Sequence, residues 1–267
     1  DFLLATAERG DLGETIAAAL DAGARGMTIA LGSSASTDGG LGALAALGLQ
    51  LRDVADAPLP DGGGALIGLA SLDDSALRAA PPLGVTLLTD TTARLTGPDG
   101  AATVFGPQKG AAPDDVALLD KALARAAVLA GGSEHERPGS GAAGGTAWGF
   151  ARYWGASIRS GAETVAAITG LDQALEGADL VITGEGRFDA TSLRGKVVGA
   201  VAERAGAAGV ELAIVAGQAD AAAIGERRVL TLEGLAGSTA DALATPERWL
   251  REAGAALARA LDGEQTD

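Results

Sequence analysis

The chain has 267 residues, enough for one large α/β domain or two ordinary ones with covered cores. Its formal charge is −15, with 20 basic against 35 acidic residues and no concentrated basic patch, which argues against nucleic acid and anionic lipid as partners. Cysteine is absent, so disulfide frameworks, thiolate metal sites and cysteine nucleophiles are excluded. The chain shows neither a run of about 18 apolar residues nor a signal-peptide pattern, and a cytoplasmic location is expected. Aromatics make up only 3% of the residues, so the core must come from close helix–sheet packing.

In chain order, a helical pattern starts almost at Asp1, and the chain is expected to be cut from something longer. Gly13 to Ala22 reads as an amphipathic helix and Met27 to Leu31 as a short buried strand. A glycine-rich run then opens a helix near Gly40 to Leu47. Asp53 to Gly68 has no periodicity and reads as loop, and Val85 to Thr89 reads as a strand ending at Asp90. Asp114 to Leu129 is a helix with Pro113 near its start, followed by a loop over Gly131 to Gly141. Leu180 to Thr183 reads as a buried strand running into a turn at Gly184, with a helix carrying Lys196 after it. Strands at Glu211 to Ala216 and Val229 to Leu232 and a final helix from Pro246 to Leu261 complete the pattern. This alternation predicts an α/β fold with parallel strands. The expected division is residues 1–177 as a central α/β lobe and 178–267 as the C-terminal part of a second, parallel-sheet lobe.

Four segments carry polar chemistry. Gly32 to Gly40 lies between a strand and a helix, where exposed amides, the hydroxyls of Ser36 and Thr37 and the Asp38 carboxylate could meet an anion. A capped helix after a tight turn is the plainer alternative. Phe105 to Gly110 holds Lys109. Only three of the 20 basic residues are lysine, and two of them, Lys109 and Lys196, sit in glycine-flanked turns, as a compact ammonium near phosphate would. Lys121, inside a helix, reads as a solvated face. Gly139 to Gly145 is small enough for close backbone approach to a ligand or to another helix. The strongest segment is Leu180 to Asp189 followed by Lys196, where Glu185, Arg187 and Asp189 gather at a strand's C-terminal end, the usual ligand position in open α/β sheets. An ion-pair cluster is the competing reading. The single histidine, His135, lies among charges in a loop and reads as solvated, while Trp148, Tyr153 and Trp154 read as packing.

Taken in order, Gly32 to Gly48 (GSSASTDGGLGALAALG), Val104 to Ala111 (VFGPQKGA), Gly139 to Gly145 (GSGAAGG) and Asp179 to Lys196 (DLVITGEGRFDATSLRGK) resemble the bacterial glycerate kinase family, glycerate 2-kinase type. The resemblance covers nearly the whole chain. It implies ATP- and Mg²⁺-dependent phosphorylation of D-glycerate to 2-phosphoglycerate, in a cleft between two α/β lobes. One of these lobes is flavodoxin-like and built from both chain ends, so only part of it is expected here. Three departures stand out. The family's opening Ala-Pro-Asp-Ser-Phe-Lys-Gly and Ala-Asp-Gly-Gly-Glu-Gly-Thr segments are missing; Thr91 to Leu95 replaces a Val then Asn-Pro-Leu after Asp90; and Thr191 stands where a Gln is usual.

On this reading Asp189 is the base or a metal-associated carboxylate, Glu185 and Asp38 support it, and Glu185 shares the metal. Arg187, Lys196 and Lys109 clamp charge, while Ser36, Thr37, Gly39, Gly40, Gly141, Gly144 and Gly145 cradle substrate and phosphate. The partners expected are a small hydroxy acid and ATP, with self-association through an unpaired sheet edge. Two other readings stay open: a non-catalytic remnant that binds substrate or a partner chain, and a dinucleotide-dependent oxidoreductase, for which no G-x-G-x-x-G follows a strand.

Overall fold

The computed structural model describes residues 11–193 and 197–264. The chain divides into two compact units, Asp1–Gly161 and Ala162–Asp267.

The first unit runs α1 (Asp11–Asp21), β1 (Met27–Ala30), α2 (Leu41–Ala46), β2 (Gln50–Arg52), β3 (Ser71–Asp73), β4 (Val85–Leu88), α3 (Ala101–Phe105), α4 (Pro113–Ala130), α5 (Ala142–Trp154) and β5 (Ser157–Arg159). Its main sheet has the order β1-β4-β5 with both pairs parallel, from Met27 opposite Val85 to Leu88 opposite Arg159. Parallel neighbours need crossovers, and the helices between the strands supply them. The stretch read as loop is framed by β2 and β3, which pair antiparallel. At three residues each, they are too short to show a period. A 3₁₀ turn over Gly63–Gly68 lies between them.

Helix boundaries follow local chemistry. Asp38 accepts the amides of Gly40 and Gly42 at 3.0 and 3.1 Å and so starts α2. Pro113 occupies the first turn of α4, the Asp115 carboxylate accepts the Ala112 amide at 3.0 Å, and Gly131 at φ 69° ends the helix. The core gathers Leu41, Leu44, Leu87, Leu123, Trp148 and Phe150. Ala122, Ala126 and Ala127 of α4 keep that helix close to it, consistent with the low aromatic content. The Phe150 and Trp154 rings meet edge-on at 5.2 Å.

The second unit follows α6 (Gly161–Ile168) with α7 (Leu171–Leu175), β6 (Leu180–Phe188), α8 (Val197–Ala208), β7 (Glu211–Ala219), α9 (Ala221–Ile224), β8 (Arg228–Thr231), α10 (Leu232–Ala236), α11 (Thr239–Ala244) and α12 (Pro246–Glu264). Its sheet order is β6-β7-β8, again all parallel. Phe188, Val198, Ile214 and Ala216 form its buried centre. Arg204 of α8 reaches Glu163 of α6 at 2.8 Å and Asp172 of α7 at 3.1 Å. The strands after Gly177 therefore form the small parallel sheet expected, and Ile182 on its edge strand β6 is 53% exposed.

One element differs from the sequence reading. The strand does not stop at Thr183: β6 continues through Glu185 and Arg187 to Phe188, which registers with Ala219 of β7. Glycine makes the continued pairing sterically possible. A Cβ on Gly184 would lie 2.3 Å from the Val215 carbonyl oxygen, and one on Gly217 would lie 2.5 Å from that of Gly186.

Candidate active site

In the first unit three of the four segments converge. The Gly139–Gly145 turn backs the Gly32–Gly40 loop: the Gly39 amide donates to the Gly144 carbonyl at 2.9 Å, and Ser34 Oγ donates to the Ala143 carbonyl at 3.4 Å. This contact needs left-handed backbone at three successive residues, Ala143 (φ 51°), Gly144 (φ 69°) and Gly145 (φ 93°), so regular helix in α5 begins only after them. A Cβ on Gly144 would fall 2.0 Å from the Ser36 carbonyl oxygen. Gly141 is similarly confined, with a Cβ position 2.1 Å from the Arg94 carbonyl oxygen.

Lys109 reaches the same loop from the other side, its Nζ donating to the Ser36 carbonyl at 2.6 Å. Burial holds this ammonium below the ordinary lysine value, and the nearby Asp38 charge opposes the shift. Ser36, Thr37, Asp38, Gly40 and Lys109 thus line a single cavity of about 580 Å³. Asp38 is not a free carboxylate there, because both of its oxygens hold amides of the α2 start. Gly39 and Gly145 lie behind the wall, packed against each other.

The remaining walls escaped the sequence reading. They are the Asp61-Gly62-Gly63-Gly64 loop and, on the α4 side, Asp115, Leu118 and Leu119. The glycine run was a visible signal, but it follows no strand and lies in the stretch without periodicity. Gly63 sits so close to Thr37 that a Cβ would meet its carbonyl oxygen at 1.8 Å. A separate cavity of about 590 Å³ between α1 and β1 is apolar, with Arg25 the one charged residue among its described lining. It offers no convergence of polar groups and is not the candidate.

In the second unit Glu185 and Arg187 lie inside the C-terminal part of β6 rather than in a turn after it, and Asp189 follows its last residue. Arg187 pairs with Asp220 at 2.7 Å, in contact with solvent. Asp189 Oδ1 accepts the Thr191 amide at 2.7 Å and the Thr191 hydroxyl at 2.6 Å, while its own amide donates to the fully buried Ser192 hydroxyl at 2.9 Å. Thr191 thus takes part in orienting the carboxylate. Glu185 Oε1 is buried without a hydrogen-bond partner among the described residues. At the end of β7, Gln218 donates to Glu233 at 3.2 Å and to Thr239 at 3.0 Å, a polar network not seen in the sequence pattern. Lys196 lies outside the described residues. His135 is half-buried in its loop, where its carbonyl accepts Ser140 Oγ at 2.9 Å.

Parallel sheets covered by helices, with polar groups collected in turns at the strand ends, define an α/β protein. The comparisons name the family. The Glycerate kinase family profile matches residues 4–262, and the chain belongs to that family. It is 41% identical to the glycerate kinase of Bacillus subtilis (strain 168) over 222 residues, 80% of this chain and 57% of the relative. It is 39% identical to the glycerate 2-kinase of Escherichia coli (strain K12), over 73% of this chain and 52% of that protein. A crystal structure from Salmonella typhimurium LT2, described as a candidate glycerate kinase 2, superposes with a TM-score of 0.72 at 35% identity, covering 96% of this chain and 69% of that one. The chain spans about half the length of the curated relatives it matches.

Proposed function

We propose that the protein transfers the γ-phosphoryl group of ATP to a hydroxyl of D-glycerate, giving 2-phosphoglycerate and ADP. Family membership supports the reaction class. The observation that carries the site is the placement of Glu185 and Asp189 at the C-terminal end of a parallel strand, with Asp189 oriented by Thr191 and Ser192.

The substrate hydroxyl oxygen forms the new P–O bond, the bond from the γ-phosphorus to the β–γ bridging oxygen breaks, and ADP leaves. Asp189 takes the hydroxyl proton. Phosphoryl transfer asks little covalent chemistry of the protein, so the remaining residues position and neutralise. Lys109, Arg187 and Lys196 provide positive charge, the last two near the carboxylates in sequence. Ser36, Thr37 and Gly40 line the loop face that receives phosphate, and Gly39, Gly141, Gly144 and Gly145 back it. Asp38 acts through that loop, by fixing the start of α2.

Mg²⁺ fits the residues present. No group of three or more His, Asp or Glu able to hold a metal occurs among the described residues. Magnesium commonly takes one or two carboxylates, completing its shell with water and substrate phosphates. The buried, unpartnered Glu185 Oε1 would be one such ligand, and Asp189 would be the second in place of its role as base. When bound there, the ion supplies charge neutralisation to the transferring phosphoryl group.

The same reading keeps the lobe assignment of a central α/β part over residues 1–177 and a C-terminal, partial flavodoxin-like part over residues 178–267. It also places the protein in the cytoplasm, where ATP is available. No helix among the described residues is long and apolar enough to cross a membrane.

A coupled ADP assay on the protein in its full natural length tests the reading. ADP release should require D-glycerate or a close hydroxy acid, and Asp189→Asn should lower turnover by about 10² or more with unchanged melting. ADP release that ignores every hydroxy acid would sink the kinase, and wild-type turnover in Asp189→Asn would remove Asp189 from the chemistry.

A further inference from the structure

The cavity of the first unit distinguishes between the two ligands of the proposed reaction. Its volume of about 580 Å³ falls within the roughly 300–1,000 Å³ of pockets that bury most of a drug-sized ligand. A three-carbon acid fills only a small part of that space. The wall groups are also of more kinds than such an acid can use.

Thr37 is 8% exposed, lines the cavity, and has no side-chain hydrogen bond among the described residues. Its hydroxyl oxygen is not one of the sealed side-chain atoms, so it stays open to a partner arriving from the cavity. Lys109 spends one N–H on the Ser36 carbonyl, leaving two of its three donors for a ligand. These two groups suit phosphate oxygens. Asp38, with both oxygens engaged, helps keep Lys109 charged without competing for the ligand.

The opposite wall suits something other than an anion. Asp61 is an exposed carboxylate at the cavity rim, an acceptor matched to sugar hydroxyls and repelled by an acid. Gly62, Gly63 and Gly64 beside it present bare backbone. Leu118, 40% exposed, and Leu119 give the rim apolar surface that a wholly polar three-carbon ligand would leave wet.

We infer that this cavity is the nucleotide site: Lys109 and Thr37 hold phosphate oxygens of an adenine nucleotide, Asp61 accepts from its ribose hydroxyls, and Leu118 and Leu119 lie against its base. The hydroxy acid binds elsewhere. This assignment rests on the kinase reading and adds which ligand the first unit takes.

Calorimetric titration of the full chain with ADP, and separately with D-glycerate, tests it in wild type, Lys109→Met, Asp61→Asn and Lys121→Met. Wild type should bind ADP. Lys109→Met and Asp61→Asn should each weaken ADP by about 10-fold or more, the effect of losing a hydrogen bond to a charged group. Neither should change any D-glycerate binding, and Lys121→Met, on an exposed helix face, should change nothing. Asp61 is exposed, so its variant keeps the test alive if Lys109→Met melts early. Absence of ADP binding in wild type, unchanged ADP affinity in Asp61→Asn, or loss of D-glycerate binding in either cavity variant would overturn the assignment. The kinase reading fails on a different measurement, hydroxy-acid-dependent ADP formation. Tight, Asp61-dependent ADP binding without that activity would leave the cavity assigned and the reaction wrong.

Discussion

Lys109 shows how a single side chain couples the loop to its medium. Its pKa is lowered by burial and drawn part of the way back by Asp38. As pH rises, the folded protein therefore releases this proton before the unfolded chain does at about 10.5. Between the two values the unfolded state binds more protons, so this residue's contribution to stability increases with pH while its contribution to ligand binding decreases. ADP affinity should begin to fall below pH 10.5, and Lys109→Arg should hold it to higher pH, since guanidinium stays charged. Flat affinity in wild type through that window, measured by titration at stepped pH, would contradict the role. Scarcity of lysine singled out Lys109 in the sequence, and the structure sets that residue in the cavity wall. Asp38 was only half legible: its place beside the site was readable, but not that both oxygens serve Gly40 and Gly42, because a carboxylate's partners depend on where the backbone turns.

At the scale of elements, the Gly139–Gly145 turn and β6 were read with unequal success. Small residues at Gly144 and Gly145 signalled close approach, and the structure supplies the object approached, the Ser36–Gly39 backbone. Gly144→Ala combines a left-handed φ with a backbone clash and should destabilise by about 1–3 kcal/mol, read as a lower denaturant midpoint at unchanged slope. An unchanged midpoint would show that the loop yields freely. For β6, the run Gly184-Glu185-Gly186 looked like a turn because glycine is poor in isolated strands. Pairing with β7 through Phe188 and Ala219 overrode that preference. Strand extent is set by the partner, which sequence periodicity does not reveal. The Asp61 loop could not be placed at the cavity for a related reason: its glycine run was visible, but its neighbours in space, Thr37 and α4, are distant in the chain.

For the molecule as a whole, alternation of strands and helices was enough to give the α/β class and parallel sheets, because crossovers leave few other arrangements. The edges of those sheets are a matter of tertiary structure. Among the described strands β6 is at the sheet edge, nine residues long with Ile182 53% exposed, a template for pairing with a second copy. Sedimentation velocity at rising concentration should show association, and Ile182→Lys should move the population toward monomer without lowering its melting temperature. A wild type that stays monomeric throughout would mean that the edge is already blunted.

The sparing use of aromatics has an optical consequence. The chain has three tryptophans. Trp148 is sealed against Gly39, one residue from the cavity wall at Asp38, and Trp154 donates its indole N–H to the Arg78 carbonyl at 2.9 Å, both in the first unit. Trp249 stands alone in the second unit, half-buried under the Arg248 guanidinium at 4.4 Å from its ring centre. Emission from Trp249 in a Trp148→Phe, Trp154→Phe background therefore reports the second unit by itself. The difference from wild type reports the first, so the two halves carry separable fluorescent dials, one of them set against the loop that lines the cavity.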